Sequence, residues 1–572
     1  MINKDRRSNA VSLTNRRSPR GCGTRQNPDS SPGRYEISDE ILEELRQDVL
    51  TRRVKRGVRW LEEHRDILTA LNPHHQNTAS CIGYLSQWVE VSDCAADTVR
   101  ELLHLFPPSS RGRISLEGYL HLRLAEGILQ LAEGETELAA AHFDLVISLQ
   151  HEPIEQELAA LAHFWRGRCA LENREWDGAL ASAERARSLM LAIGHIPAAA
   201  MMRALEGCLN VHKGRPASAM ELLQEAEAEL QQAGDLFWLA NIQSAYGSIA
   251  IDEGRYESAV GHFTRAVVYH RECSAQLPDI ARSLTHLAHA QRLTALQIAG
   301  AIDKRLERRR KAPKTDSPAL TEAGAREDVE RLRGEAFRHL AEAIATSRSL
   351  VRLRCLALAL IERGFLSADC GHFDRAACEA NEAFELGSKI KDRAVMAQAR
   401  LLHSRMENAQ YEEGIGENPA RHAQRAHDFA QEALNYARQT GDRRLLASAH
   451  LCQAQAFCNE FFNDTEAAAE CCRQAAEFLT PDSPSQLWQE HQALIRKVAR
   501  TGHVDTRFQE WSQGLVGGKT FQQMTEDFAD VVIPTMWERE GRNISRVVAK
   551  LSISPKKVRR ILSRAGLKGA ND

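Results

Sequence analysis

Gly247-Ser-Ile-Ala-Ile-Asp-Glu-Gly-Arg-Tyr256-Glu-Ser-Ala259-Val-Gly-His-Phe263-Thr-Arg-Ala266 is the stretch on which the reading of this chain turns. Two helical patterns are written in it, and Glu253-Gly-Arg-Tyr256 supplies the turn between them. The small residues return at a fixed interval. Gly127, Gly167, Gly207 and Gly247 lie forty residues apart. Twelve residues after each comes Ala139, Ala179, Ala219 and Ala259. Four further on are Phe143, Ala183, Leu223 and Phe263, and three beyond those Val146, Ala186, Ala226 and Ala266. A constant period of this length, with small residues at helix crossings, specifies stacked helical hairpins. On this reading the glycine lets the paired helix approach, and the alanine repeats this from the other side. The larger residue would fill the space between neighbouring hairpins.

The pattern returns at Gly364, Phe373, Ala376 and Ala383. Degenerate copies follow at Ala426, Ala430 and Ala433, then at Ala468, Cys472 and Ala475, giving about eight helical pairs over residues 118–480. These positions resemble the tetratricopeptide (TPR) repeat, whose Gly-Tyr-Ala-Phe-Ala pattern is best kept at Gly247, Tyr256, Ala259, Phe263 and Ala266. The forty-residue spacing resembles the longer variant found in sensor domains of large bacterial transcription regulators. A helical solenoid of another family is the alternative. By repeat register Phe164, Arg168, Ala204, Cys208, Asn241, Ser244 and Ser248 should line the inner face as a groove for a protein or peptide. That set is mostly small and apolar, which points to an apolar or helical ligand. One repeat is interrupted near 297–334. There Asp303 to Lys314 holds seven Lys/Arg and two acids, expected as an exposed loop with helical ends. The sequence leaves open whether that insertion touches nucleic acid.

The C-terminal end is written differently. Ser554 can cap a helix whose first position suits Pro555, and Val558, Ile561, Leu562 and Ala565 follow at helical spacing. Lys556, Arg559, Arg560 and Ser563 share another face, flanked by Lys557 and Arg564. A helix that enters a DNA groove needs such a face, because phosphates supply affinity and base edges supply sequence information. Residues 541–572 hold nine Lys/Arg and one Asp, a net of +8. Gly541, Asn543, Leu551, Ile553, Ser554 and Gly566-Leu567 resemble the Fis-type helix-turn-helix, over roughly residues 521–568. That resemblance implies duplex DNA as partner, contacted from Asn543, Ser545, Ser554, Lys556, Lys557, Arg559, Arg560, Ser563 and Arg564. It also implies a homodimer formed through the first helix of the domain. Val547 and Val548 depart from the family's small pair, and Ser552 from its turn glycine. A basic helical hairpin packed on its own protein is the alternative.

Charge separates the regions. Of a total of −3, residues 1–34 carry +6 and the last 32 carry +8, which leaves −17 on residues 35–540. An acidic body with a basic end suits a regulator whose mass avoids DNA while one end seeks it. Residues 1–34, rich in Arg, Ser, Asn, Gly and Pro, are expected to be disordered. Residues 35–117 read as helical, with Trp60 and Trp88 as core candidates and no motif. Residues 481–520 read as a helix and a glycine-rich link ahead of the domain at 521–572. No apolar run reaches membrane length and no secretory signal opens the chain, so a cytoplasmic protein is expected. Thirteen cysteines without a CxxC pair read as small buried hydrophobes; the vicinal pair Cys471-Cys472 leaves a redox role open.

Enzyme motifs fall away on spacing. Gly514-Leu-Val-Gly-Gly-Lys519-Thr520 has three residues between its outer glycines where a phosphate loop needs four. His286 and His289 share a helix face without a third ligand of suitable spacing. No catalytic residue, metal or cofactor is expected. The reading is an all-α chain: a TPR-like α-solenoid of helical hairpins with a small C-terminal helix-turn-helix domain. Its expected function is DNA-binding regulation with a partner-sensing solenoid. The alternative is a non-enzymatic scaffold whose basic tail is a docking element.

Overall fold

The forty-residue period becomes a run of antiparallel helical pairs. The computed structural model describes residues 35–149, 156–273, 278–311, 320–415, 418–479, 485–501, 518–565 and 567. Among them every named element is a helix, and one isolated bridge joins Tyr35 to Leu71. The chain divides into two compact units, one of residues 1–463 with 470–494, the other of 464–469 with 495–572. The tail 1–34, part of the glycine-rich link and Gly566 lie outside the described residues.

In the first unit seven hairpins follow one another. They pair Leu116–Glu133 with Thr136–Ser148, Gln156–Glu172 with Trp176–Ala192, and Ile196–His212 with Pro216–Ala233. Leu236–Asp252 pairs with Tyr256–Cys273, Pro278–Lys311 with Leu320–Ser349, Leu353–Asp369 with Phe373–Lys389, and Arg393–Glu412 with Pro419–Arg438. An eighth pair, Arg443–Phe457 and Thr465–Ala476, meets through Ala454, Cys471 and Cys472. Capping fixes where several of these helices start: Asp235 accepts from Trp238 N at 3.1 Å, and Asp392 from Ala394 N at 2.9 Å.

The repeat residues pack both within hairpins and between them. A Cβ built on Gly127 would lie 2.6 Å from the Phe143 ring, one on Gly207 2.6 Å from Leu223, and one on Gly247 2.7 Å from Phe263. The larger residue therefore fills the glycine's empty volume within its own hairpin, and Phe263 also reaches the next hairpin, its ring 5.4 Å from that of His286. Where that residue is Ala183, the helices close until Gly167 would meet the Ala179 carbonyl at 3.2 Å. Ala139, Ala179, Ala219 and Ala259 are fully buried. So are Ala426, Ala430, Ala433, Ala468 and Ala475 in the degenerate copies.

The interrupted repeat also differs from expectation. Its helices run through Pro278–Lys311 and Leu320–Ser349, so residues 303–311 are helix and not loop. Strong helix formers, among them Lys, Arg, Glu and Leu, explain the extension. Residues 312–319 of the insertion lie outside the described ones.

Residues 35–117 join the same hydrophobic core as the repeats. Trp88 is buried beside Gly57, whereas Trp60 is half-buried and stacks on His64 with ring centroids 4.5 Å apart. Arg52 and Asp235 form an ion pair of 2.8 Å that is 5% and 0% exposed, which ties this region to the start of the fourth hairpin. Such a pair contributes little against an apolar pair of equal shape, but losing one partner costs roughly 3–5 kcal/mol.

In the second unit Phe521–Arg539, Ile544–Leu551 and Pro555–Arg564 enclose Ala529, Ile533, Trp537, Val547, Val558, Ile561 and Leu562. Ser552 takes φ +50° between the last two helices, where the resembled family has glycine. Serine is strained there by roughly 1 kcal/mol relative to glycine.

Candidate partner face and nucleic-acid interface

The seven inner-face residues separate in the structure. Phe164 and Ala204 are buried, Phe164 edge-on to Trp165 and Trp238 at 5.2 and 5.8 Å between centroids. Those two are core and not groove, because the aromatic ring fills the space that the first helices leave. Arg168 forms an ion pair with Glu90 and lies 5.8 Å from the centre of the Trp238 ring. Cys208, Asn241, Ser244 and Ser248 remain half-exposed. The two serines bond back to carbonyls one helical turn earlier, Ala240 and Ser244.

Around these four the surface is charged, which overturns the expected apolar lining. Arg282 donates to Asn241 at 2.8 Å and pairs with Asp279 at 2.5 Å. His289 meets Glu362 at 2.9 Å. Burial alone would raise the Glu362 carboxyl, but His289 and Arg292 pull it down to about 2. Burial keeps His286 neutral, its pKa lowered to about 3. Ion pairs also join distant repeats: Arg354 with Glu172 at 2.7 Å, Arg174 with Asp442 at 2.8 Å, and Arg444 with Asp252. Four of the seven positions are thus half-exposed, with charged residues beside them that the repeat register did not indicate. It missed the charges because they come from repeats far apart in sequence and from residue 90 ahead of the solenoid.

The N-terminal helices add a second feature that no motif announced. Tyr84 donates to Glu157 at 3.1 Å, Arg46 pairs with Glu157 at 2.8 Å, and Trp165 donates to Gln87 at 2.8 Å. A cleft of about 540 Å³ opens there, lined by Asp39, Glu43, Glu117, Glu157, Arg46 and His121 among others. Among its carboxylates Glu157 holds residues 35–117 to the second hairpin, while Asp39 and Glu43 bond to Asn77 and Arg46 within that region.

Of the histidine pair, His289 is paired with Glu362, and among the described residues no group of three or more His, Cys, Asp or Glu is placed to hold a metal ion. Cys471 and Cys472 are buried, and burial raises the Cys472 thiol to about 12, away from thiolate chemistry.

At the C-terminal end the apolar and basic faces divide, except that Ala565, at the helix end and expected on the apolar face, is exposed. Val558, Ile561 and Leu562 are buried, whereas Lys556, Arg559, Arg560, Ser563 and Arg564 are exposed and Lys557 is half-buried. Asn543 and Ser554 are occupied in part by capping: Asn543 accepts from Arg546 N at 3.1 Å and Ser554 from Lys557 N at 3.3 Å. Ser545 is exposed beside the first cap. Arg560 pairs with Glu526 at 3.3 Å and Arg564 with Asp530 at 3.0 Å, both on the first helix of the domain.

Solved helical-repeat structures resemble this chain loosely. A Rap protein complexed with competence and sporulation factor is 12% identical, covering 74% of this chain and 99% of its own, with a TM-score of 0.48. The apo quorum sensor NprR from B. thuringiensis is 11% identical over 69% of this chain and 97% of its own, with a TM-score of 0.44. Aspartyl phosphate phosphatase F from Bacillus subtilis is 13% identical over 82% and 95%, with a TM-score of 0.37. Likeness at this level carries no functional argument. No protein-family model and no curated protein sequence matches the chain. Among the described residues no helix is long and apolar enough to cross a membrane.

Proposed function

We propose that this chain is a DNA-binding regulator whose solenoid receives a protein or peptide partner and whose C-terminal domain docks on duplex DNA. The observation that carries the reading is the helix Pro555–Arg564. One side closes the domain core, while Lys556, Arg559 and Ser563 stand exposed on the other. A short capped helix with that division can lie in a major groove, cations toward phosphate and base edges. The charged inner face of the solenoid suits a polar partner, such as an extended peptide with charged groups, better than an apolar helix. Pairing of two copies through Phe521–Arg539 belongs to the same proposal, supported by Phe521 and Phe528, which are 82% and 51% exposed.

The test is a paired variant in the full-length chain. Lys556→Ala with Arg559→Ala should weaken duplex binding by about tenfold or more while the melting temperature stays put, as two phosphate or base contacts are lost. Unchanged affinity would remove the groove assignment. The second reading, a scaffold with a docking tail, is favoured by the Glu526 and Asp530 pairs, which neutralise part of the basic face. It predicts recovery of partner proteins by the intact chain without any enrichment of DNA.

A further inference from the structure

Two ion pairs in the C-terminal domain share one geometry. Glu526 and Asp530 are one helical turn apart on Phe521–Arg539, and Arg560 and Arg564 are one turn apart on Pro555–Arg564. The pairs Glu526–Arg560 and Asp530–Arg564 therefore form two rungs, at 3.3 and 3.0 Å, between the same two helices. Arg564 also lies 3.9 Å from Glu526, so the rungs share charge. They stand outside the core, which closes on Trp537, Val558, Ile561 and Leu562 without them. The side chains of Arg560 and Glu526 are 54% and 43% exposed, and those of Arg564 and Asp530 50% and 33%. Exposed pairs of this kind are weak and readily exchanged for another anion. They add little to the fold, yet they occupy two of the cations of the candidate groove helix.

We propose that Glu526 and Asp530 are positioning residues that hold Arg560 and Arg564 on the domain's own first helix, so that duplex DNA gains these arginines only by displacing both carboxylates. The proposal rests on the DNA-binding reading above. The carboxylates mimic phosphate at the spacing of one helical turn. A duplex that brings phosphates up to both arginines displaces them together; one that engages the helix through Lys556 and Lys557 alone leaves the rungs closed. The device would suppress binding to DNA of arbitrary sequence, where electrostatics alone supplies affinity. It also separates two groups of cations that look equivalent on the sequence.

The full-length chain, titrated by anisotropy against a random-sequence duplex, tests this. Asp530→Asn should tighten binding by about fivefold, since one exposed pair and one carboxylate close to DNA are removed. Asp527 lies on the same helix but pairs with Lys519 at 2.7 Å. Asp527→Asn makes the same charge change and should shift affinity less than about twofold if the rung and not bulk charge is responsible. In an Arg564→Ala background the gain from Asp530→Asn should vanish. Equal gains from Asp527→Asn and Asp530→Asn, or a gain that survives Arg564→Ala, overturns the proposal while leaving DNA binding in place. Failure of the wild-type chain and of every variant to bind duplex overturns both readings together. Circular dichroism on the same samples confirms that each variant is folded.

Discussion

The solenoid and the C-terminal domain solve the same packing problem with opposite means. In the repeats, specificity lies in what is missing: glycine and alanine at the crossings let helices approach, and a Phe or Leu fills the gap at Gly127, Gly207, Gly247 and Gly364. In the small domain it lies in large residues, since Trp537, Ile533, Ile561 and Leu562 close a three-helix core with little else inside. Charge divides the two as well. In the solenoid arginines are paired with Asp or Glu, through Arg282–Asp279, Arg354–Glu172 and Arg174–Asp442. In the second unit the last helix presents cations outward. The difference teaches where each can be disrupted. The repeats are intolerant of added volume, the small domain of lost volume.

The largest expected effect follows from added volume. Ala259 is fully buried at the crossing of the best-kept repeat. Ala259→Glu brings a charge and four further heavy atoms to that crossing, and should destabilise the solenoid by more than about 4 kcal/mol. Differential scanning calorimetry should show the major transition move down sharply. An unmoved transition would mean that the repeat register is misassigned. The mirror experiment removes volume from the small domain. Trp537 is 3% exposed, and Trp537→Ala should cost about 3–5 kcal/mol there. It should unfold the C-terminal helices and abolish duplex binding while the main transition stays in place. Simultaneous loss of both transitions would erase the contrast.

Acid sharpens the comparison. Burial lowers His121 and His286 to about 3, and His270 and His403 to about 4. These imidazoles stay neutral in the native solenoid, whereas unfolded histidine takes up a proton below roughly pH 6.5. The unfolded state thus binds more protons between pH 6.5 and 4, and stability falls as pH falls through that window. Residues 521–572 contain no histidine. Between pH 7.5 and 5 the solenoid transition should drop by on the order of 5 °C while the small domain shifts less. Parallel shifts would count against buried neutral histidines as the cause. The smallest expected effect is a gain. Ser552 holds φ +50°, so Ser552→Gly should stabilise the C-terminal domain by about 0.5–1 kcal/mol. A loss of stability on that change would mean the Ser552 side chain contributes more than its strained backbone costs.

How much could be read in advance follows the same divide. The hairpins were legible because Gly127 to Gly247 recur at a strict interval, and because Ala and Phe mark contacts inside one repeat. The degenerate copies at Ala426 and Ala468 were legible through buried small residues, since other features of the repeat had faded. The charged inner face was not legible. Arg174 and Asp442 lie 268 residues apart, and nothing local links them. Residues 35–117 carried no repeat, so their grip on Glu157 and Asp235 could be found only in three dimensions. The helix from Asp303 to Lys311 is not legible in advance because a dense charge run reads as a solvated loop, although Lys, Arg, Glu and Leu favour helix. In the C-terminal domain the faces of the last helix were readable from spacing alone. The carboxylates opposite Arg560 and Arg564 were not, because they sit one helix away.

The central claim is that the chain meets duplex DNA through its C-terminal cations. It is tested most directly by equilibrium binding of the full-length chain to duplex DNA across a series of salt concentrations. If about five to nine phosphates are neutralised, a plot of log affinity against log salt should fall with a slope of roughly −4 to −8. That slope should flatten by about 1 when Lys556 alone is replaced by alanine. A chain that shows no binding at low salt, or binding indifferent to salt, contradicts the account.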